Sequence, residues 1–428
     1  MKRVFEFDLN SVLDFSKISD SEYLESKKIS KKDYILPSPT AEEHIRTIYN
    51  VYNYDKNFLT HDKRETTGLF RSVIMREDEI VAFAPPKSVR YDSFIQRHKD
   101  TGDLIIEEFV EGTMINLFYN VKKVEDDIVI GEWELATRTT VGGKSVFFKE
   151  TTKDNEEKSV SFRKMFLEAM NESGLEFTMF DPRYCYSFVV QHPKNRIVSV
   201  IDKPTIYLIA IYQIDNETKK VYEVVLDHET NKIYHHVKQP LVIEAENYDE
   251  VKEKYASMNT DYSIMGVVFK SRDGLRSKLR NPNYEQVKHL RGNSPKLQYQ
   301  YLSLRQMGKV KEFLKYYPEY RKDLQQFRDD LHNYTNKLHE NYIACYIQKQ
   351  KPLGEFPKKF RSHMFKLHEK YLSELREQKG YINKKTVIEY MNSLHPAQQM
   401  FVLNYNLRTQ NLDEIKKETD SKIKNLEN

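Results

Sequence analysis

The sequence predicts an α+β fold in which a mostly antiparallel core is followed by an all-helical C-terminal domain. From about Gly68, short runs that alternate apolar and polar side chains are separated by turn residues, which is typical of antiparallel strands. After about Asn283 these runs stop, and apolar residues recur at helical spacing instead. The 428 residues also exceed the roughly 250–300 that one hydrophobic core usually serves, so more than one domain is expected.

The first predicted domain, residues 1–60, is a mixed polar segment with one helix. That helix begins at Thr40, whose hydroxyl can cap it, and runs through AEEHIRTIYNVYN to Asn53. The second domain, residues 61–290, contains the strands and a few helices. Its strands are predicted in GLFRSVIMREDEIVAFAPP, IIEEFVEGTMINLFYN, DIVIGEWELATRTTVGG, YSFVVQHPKNRIVSV, TIYLIAIYQID, KVYEVVLDHETNKIYHHV and DYSIMGVVFKSRDGLRSKLRN. Its helices are predicted in SFRKMFLEAMNESG and YDEVKEKYASMN.

The third predicted domain, residues 291–428, is basic and helical. Its helices are interrupted at Pro318, at the KQKPLGEFPKK loop and at Pro396. Its last run, NLDEIKKETDSKIKNLEN, is predicted to be a charged amphipathic helix or a frayed tail. Core positions are predicted where apolar residues share one helix face: Leu302, Leu304, Val310, Phe313, Leu314, Phe360, Met364, Leu367 and Tyr371.

The basic residues are concentrated in the third domain. The whole chain has a formal net charge of +4, but residues 295–428 alone contain 25 Lys and Arg against 16 Asp and Glu. A basic surface of this kind suits an anionic partner such as nucleic acid, because phosphates are attracted to it. A well-solvated helical surface without a partner is the alternative.

The composition argues against membrane and secreted classes of protein. The mean hydropathy is −0.72, and no apolar run approaches the roughly 18 residues of a membrane helix, so no membrane partner is expected. Cys185 and Cys345 make no metal-type pair, which favours a reducing, intracellular and cytoplasmic location. His235 and His236 are predicted to lie in a strand and to point to opposite faces, so no structural metal is expected.

Five stretches of the second domain carry residues that could form one site. They are GLFRSVIM followed by IVAFAPPKSVRYDSF, then FVEGTMI, ELATRTTVGG, YSFVVQHPKNRIV, and finally IMGVVFK with KLR. Each has an ordinary explanation alone, such as a hairpin turn at Glu111 and Gly112 or a solvated strand-edge cation at Arg138. Lys278 and Arg280 are two residues apart, so on a strand both side chains point to the same face. Pairs of solvent-exposed cations with this spacing are also common. The order of the stretches along the chain is the informative feature.

In that order, the five stretches resemble the motifs of covalent nucleotidyltransferases, specifically phage-type ATP-dependent RNA ligases, over roughly residues 65–290. The resemblance implies a nucleotidyltransferase core of the ATP-grasp-like ligase kind, with ATP and Mg²⁺ as cofactors. It also implies a helical C-terminal domain that binds nucleic acid, RNA in preference to DNA. The residues that match the motifs are Glu111, Gly112, Thr113, Arg138, Asn195, Arg196, Gly266, Val267, Val268, Lys270, Lys278 and Arg280.

Three catalytic groups of the family are missing from this match. Phe109 stands where the family has the lysine that attacks the α-phosphorus of ATP, and Ser187 and Met265 stand where it has carboxylates. The retained residues imply a nucleotide site in which Glu111 holds ribose and Arg138 contacts base or phosphate. The full set of predicted nucleotide-binding residues is Glu111, Gly112, Arg138, Lys270, Lys278 and Arg280.

The predicted function is that of an RNA-ligase-like protein that has lost covalent chemistry but binds nucleotide or nucleic acid. One alternative is an active RNA ligase whose nucleophile is another lysine, such as Lys87, Lys122 or Lys270. A second alternative is a structural or virion scaffold in which Phe109 and Met265 fill the adenine cavity. The chain also resembles uncharacterised ligase-like proteins of large DNA viruses, which would place it in a viral factory or a virion. Protein partners are not predicted.

Overall fold

The computed structural model describes residues 1–37, 46–125, 128–146, 160–229, 231–294 and 296–410. The chain divides into two compact units, Met1–His289 and Leu290–Asn428. The first unit combines antiparallel sheets with helices and the second is helical, so the predicted α+β class is confirmed. The predicted charged run from Asn411 to the C-terminus lies outside the described residues.

The first unit contains three antiparallel sheets. A six-stranded sheet has the order β1-β11-β10-β9-β7-β8, a four-stranded sheet the order β2-β3-β4-β5, and a three-stranded sheet the order β13-β12-β6. The strands are β1 (Lys2–Asp8), β2 (Ile29–Pro37), β3 (Arg46–Tyr54), β4 (Val73–Arg76), β5 (Glu79–Phe83), β6 (Ile105–Glu108), β7 (Thr113–Glu125), β8 (Ile128–Ala136), β9 (Tyr184–Gln191), β10 (Thr205–Asp215), β11 (Lys220–Val225), β12 (Gly266–Lys270) and β13 (Arg276–Arg280).

The helix predicted from Thr40 to Asn53 is wrong over its described part. Residues 46–54 form strand β3, which lies between β2 and β4, while residues 38–45 lie outside the described residues. Tyr49 and Val51 are buried in the sheet core, whereas Ile48 is exposed. Pairing on both sides buries one face of this aromatic and β-branched run, and that tertiary gain overrides the helix signal.

The helices of the first unit cover the sheets and cap their ends. They are α1 (Ser21–Ser26), α2 (Tyr91–Arg97), α3 (Phe162–Ser173), α4 (Tyr248–Ala256) and α5 (Pro282–Arg291), the last of which crosses the boundary between the units. Helix α3 ends at Gly174 as predicted, in the left-handed conformation that glycine adopts without strain. The strand predicted through His235 and His236 is wrong at its end, because Lys232–His235 form a 3₁₀ turn.

One face of the three-stranded sheet packs against a hydrophobic core. Ile106, Val267 and Phe269 point into a cluster with Phe94 of α2 and Val251 of α4. Because side chains alternate across a strand, the residues between them point to the opposite face. That opposite face carries Glu107, Lys270 and the cations of β13, and it is where the candidate site lies.

The second unit consists of helices around its own apolar core. They are α6 (Leu297–Gln306), α7 (Val310–Tyr316), α8 (Arg321–Tyr342), α9 (Lys358–Lys370), α10 (Lys384–Ser393) and α11 (Pro396–Leu403). The predicted core positions Leu302, Leu304, Phe313, Phe360, Met364 and Leu367 are buried, while Val310, Leu314 and Tyr371 are half-buried. No helix in the described part of the chain is long and apolar enough to cross a membrane.

Candidate functional site

The turn between β6 and β7 is held by close backbone contacts, one of which requires a glycine at position 112. The Phe109 N–H donates to the carbonyl of Gly266, at 3.0 Å, which joins the turn to β12. Gly112 has a φ of +149°, and a Cβ there would lie 2.6 Å from Val189 Cγ1 and from the Val190 carbonyl oxygen. Glycine is therefore needed at this position both for its conformation and for the close approach of β9.

Glu111 is buried, and its carboxylate is hydrogen-bonded to the loop that contains Val198 and Ser199. Its carboxylate accepts hydrogen bonds from the backbone N–H groups of Val198 and Ser199 at 3.0–3.2 Å, and from the Ser199 hydroxyl at 3.2 Å. Asn195, in the same loop, donates to the hydroxyl of Thr113 at 2.9 Å. The two stretches FVEGT and NRIVS are thus held together. The ribose contact of Glu111 stays a prediction, and its direct role in this structure is to fix the loop.

Ser187 and Met265, the two positions where carboxylates were predicted to be missing, carry uncharged side chains. Ser187 is fully buried on β9, and its hydroxyl donates to the side-chain carbonyl of Asn116 at 2.7 Å. Met265 is half-buried beside the start of β12. Neither position presents a charged group to the site.

Strand β13 presents three cations on one face. Arg276, Lys278 and Arg280 alternate with Ser277 and Leu279, so their side chains point away from the hydrophobic core. Lys278 Nζ lies 4.1 Å from the centre of the Phe109 ring, and Arg280 Cζ lies 5.5 Å from it. The aromatic ring at position 109 is therefore covered by cations, an arrangement that its negative π face favours.

Two further cations reach the site from the connections next to the other sheets. Arg71 precedes β4 and Arg138 follows β8, and the buried side chain of Asn53 donates to both of their carbonyl oxygens, at 2.7 and 3.0 Å. The Arg138 guanidinium also lies 4.9 Å above the ring of Tyr54. Asn53 and Tyr54, at the end of β3, therefore position a pair of arginines that are far apart in sequence.

Lys87 completes what we call the cation cluster: Arg71, Lys87, Arg138, Arg276 and Lys278. The backbone N–H of Lys87 donates to the carbonyl of Gly68 at 2.9 Å. The two residues are packed closely, since a Cβ added to Gly68 would lie only 3.1 Å from the Cβ of Lys87. Arg64 and Arg280 lie at the edge of the cluster and act electrostatically on Lys87. In the described part of the chain, no acidic side chain forms an ion pair with any member of the cluster.

Burial and mutual repulsion disfavour the charged forms in this cluster. Burial, followed by Arg64, Arg71, Arg280 and Arg138, lowers the pKa of Lys87 to about 8. Burial, followed by Arg276, Arg71, Arg280 and Lys87, holds the pKa of Lys278 well below its usual range. Burial and Arg276 lower the pKa of Arg71 to about 10.

Several guanidinium N–H groups in this region are buried without a hydrogen-bond partner. They are the Nε groups of Arg64, Arg138 and Arg276, taken over the described residues. A buried donor without an acceptor costs about 1–3 kcal/mol, and more when the group is charged.

Two of the predicted nucleotide-binding cations are already paired. Lys270 is buried and lies 2.8 Å from the Glu107 carboxylate, and Arg280 lies 2.5 Å from the Glu285 carboxylate. Lys278 and Arg138 have no such partner among the described residues. The structure thus separates the predicted cations into one internal ion pair, one surface ion pair and two members of the cluster.

Sequence reasoning missed Arg71 and Arg276, and Lys87 was considered only as a substitute nucleophile. Arg276 could have been found, because the alternation that joins Lys278 to Arg280 extends to it. Arg71 gave no signal, since its place beside Arg138 depends on how β3, β4 and β8 assemble.

The sequence and structure were compared with known proteins. No protein-family model matches the sequence, and no curated protein matches it. Among solved structures, an archaeal ATP-dependent RNA ligase is similar at 13% identity with a TM-score of 0.34, over 74% of this chain and 73% of that chain. A Naegleria gruberi RNA ligase variant with ATP and Mn is similar at 13% identity with a TM-score of 0.31, over 67% of this chain and 84% of that chain.

The cluster fits a polyphosphate better than it fits a metal ion. Among the described residues, no group of three or more His, Cys, Asp or Glu side chains could hold a metal. Glu107 is bound to Lys270, and burial raises the pKa of Glu223, the other carboxyl group near Lys270 and Arg276. The side chains of the cluster are themselves cations, which attract phosphate oxygens and repel a metal ion.

Proposed function

We propose that the first unit is an RNA-ligase-like nucleotide-binding domain, in which the cation cluster binds the phosphate groups of ATP. The observation that carries this proposal is the gathering of Arg71, Lys87, Arg138, Arg276 and Lys278, none of which forms an ion pair with an acidic side chain among the described residues. Like charges held together in a partly buried site repel each other. A polyanion that binds there relieves this repulsion, because its negative charge offsets the positive charges of the cluster.

The composition of the cluster favours phosphate over other anions. Three of its five members are arginines, whose planar guanidinium groups donate to two phosphate oxygens at once. Arg138 also has the Tyr54 ring beneath its guanidinium, which leaves the outer edge of that group for a ligand. Position 109 is phenylalanine, which has no nucleophile, so no covalent nucleotide can form there.

The arrangement around Phe109 also supports binding over the scaffold alternative. That alternative predicts that Phe109 and Met265 fill an apolar cavity. Phe109 is instead half-buried and lies under Lys278 and Arg280, so the ring belongs to a charged surface.

Isothermal titration of the full chain with ATP and Mg²⁺ tests the proposed nucleotide site. Arg138→Met and Arg276→Met should each weaken ATP binding by roughly 10- to 100-fold, because a hydrogen bond between charged groups contributes about 1.5–3 kcal/mol. Lys252→Met, at an exposed position of α4, is the matched control and should bind as the unaltered protein does. Absence of ATP binding by the unaltered protein would reject the proposal in favour of the scaffold.

We also propose that the second unit binds single-stranded nucleic acid, RNA in preference to DNA. The supporting observation is a run of exposed cations on α7 and at the start of α8: Lys309, Lys311, Lys315, Arg321 and Lys322. Exposed cations of this kind neutralise phosphates and release counterions, so affinity falls as salt rises.

A triple charge reversal tests this second proposal. Lys311→Glu, Lys315→Glu and Lys322→Glu together should weaken RNA binding and flatten the dependence of log Kobs on log salt. The control is a triple reversal on the first unit at exposed Lys31, Lys32 and Lys252. Equal losses in both variants would mean that net charge alone is responsible, which would contradict a binding surface on α7 and α8.

A further inference from the structure

We infer that Lys278 is a nucleophilic lysine, which accepts the nucleotidyl group of ATP in place of the lysine that is absent at position 109. The inference rests on the proposed nucleotide site and goes beyond it, since binding alone requires no covalent step. It concerns a residue on β13, on the other side of β12 from the β6–β7 turn.

The Lys278 amine lies next to position 109. Phe109 is joined to β12 through Gly266, and β12 is paired with β13, so the sheet brings Lys278 next to position 109. Lys278 Nζ then lies 4.1 Å from the centre of the Phe109 ring, directly over its face. The amine of Lys278 is thus beside the space through which a lysine side chain at position 109 would extend.

The surroundings of the Lys278 amine favour its unprotonated form. A lysine attacks an electrophile only in its unprotonated form, and burial next to other cations favours that form. Arg276, Arg71, Arg280 and Lys87 all act on Lys278 in this sense, after burial itself. Lys278 also forms no hydrogen bond or ion pair within the described part of the chain, so its lone pair is not held by another group.

The other lysines near the site are less suitable. Lys270 is bound to Glu107 by contacts of 2.8 and 3.0 Å, which hold its amine away from a ligand. Lys87 has a pKa of about 8, yet among the described residues it forms no cation–π contact with the Phe109 ring, whereas Lys278 does. The side chain of Lys122 lies outside the described residues.

The proposed step is balanced with ATP as the only co-reactant besides a divalent cation. The Lys278 amine forms a bond to the α-phosphorus, and the bond from that phosphorus to the bridging oxygen of the β-phosphate breaks. Pyrophosphate leaves with the electron pair of that bond, and the nitrogen loses one proton to water. Arg71, Arg138 and Arg276 remain to neutralise the charge that develops on the leaving phosphates.

The test is incubation of the full chain with Mg²⁺ and α-labelled ATP, followed by a denaturing gel and mapping of the labelled peptide. We expect label on Lys278 that is lost at acidic pH, as a phosphorus–nitrogen bond requires. Lys278→Arg replaces the reactive amine with a guanidinium, so labelling should fall at least 100-fold, and the residue that is mapped on the unaltered protein decides the question whether or not this variant still binds ATP. Lys252→Arg should be labelled like the unaltered protein.

The other outcomes show whether the covalent step alone fails or the nucleotide site fails as well. Label mapped to Lys87 or to any residue besides Lys278 would overturn the inference, and this mapping on the unaltered protein needs no variant to fold. ATP binding without any label would also overturn it and leave the proposed nucleotide site standing. No ATP binding would reject both.

Discussion

Lys278 Nζ lies 4.1 Å from the centre of the Phe109 ring, so the amine is placed over an aromatic face. The two residues are on β13 and on the β6–β7 turn, and only the pairing of both with β12 brings them together. This contact joins an aromatic ring to a lysine whose charged form is otherwise disfavoured by burial and by neighbouring cations.

Replacement of Phe109 by leucine should make Lys278 lose its proton more readily. The ring face stabilises the ammonium form by about 0.5–1 kcal/mol, so Phe109→Leu should lower the pKa of Lys278 further. The measurement is the pH dependence of Lys278 acylation, followed by peptide mass spectrometry, with exposed Lys252 as the internal reference. A midpoint that stays or rises would show that the ring does not stabilise the charge.

Replacing Lys270 alone should destabilise the first unit more than replacing both Lys270 and its ion-pair partner Glu107. Lys270 and Glu107 are buried, with side chains 10% and 15% exposed, so Lys270→Met leaves a carboxylate without its partner. We expect the free energy of unfolding in urea to fall by about 3–5 kcal/mol, and Glu107→Leu with Lys270→Met to recover most of it. Lys220→Met, which breaks an exposed pair with Glu6, should cost less than about 1 kcal/mol. Equal costs at the two pairs would contradict this difference in burial.

Glu111 should matter for stability even without a ligand. Glu111→Ala removes the acceptor of the Val198 and Ser199 N–H groups and should lower the free energy of unfolding by about 2–4 kcal/mol. Glu111→Gln keeps one acceptor oxygen and should cost less. Glu253→Ala, at an exposed site on α4, is the control and should change stability very little. The prediction fails if Glu111→Ala unfolds at the same urea concentration as the control.

Gly112 should tolerate no side chain. Gly112→Ala places a Cβ within 2.6 Å of Val189 Cγ1 and the Val190 carbonyl, at a φ of +149°, and should cost about 2–4 kcal/mol. Gly102→Ala is the control, since the nearest atom to its Cβ would be Asp100 Oδ1 at 3.7 Å. Thermal unfolding of both variants checks the prediction, and equal melting temperatures for Gly112→Ala and Gly102→Ala would contradict it.

The cation cluster should make the first unit more stable as the pH rises above about 8. Lys87 has a folded pKa of about 8 against an ordinary value of 10.5, so between these pH values the unfolded state binds more protons. Stability therefore rises with pH in this window, and Lys278, whose folded pKa is also lowered, acts in the same direction. Lys87→Met should flatten the rise by an amount of order 1 kcal/mol, because partial exposure screens the full effect. Urea unfolding from pH 7.5 to 9.5 measures it, and parallel curves for both proteins would exclude it.

The sequence predicted local structure well where a pattern has one structural meaning. The run TIYLIAIYQID is strand β10 over the predicted residues, and the Gly174 stop ends α3. The pattern failed at residues 46–53, where the same aromatic and apolar residues suit a helix face or a strand, and the partners β2 and β4 decided between them. It failed again at His235, where a turn replaces the strand.

The α+β class, the helical C-terminal region and the absence of a nucleophile at position 109 could all be predicted from the sequence, because they depend on periodicity and on residue identity. Only the tertiary structure decided which cations are unpaired. Lys270 and Arg280 read like Lys278 in the sequence, yet each has a carboxylate partner, whereas Lys278 meets Phe109, Arg71 and Arg276. The reason is physical: the protonation and ligand preference of a charged group depend on its neighbours in space, and strand pairing brings those neighbours from distant parts of the chain.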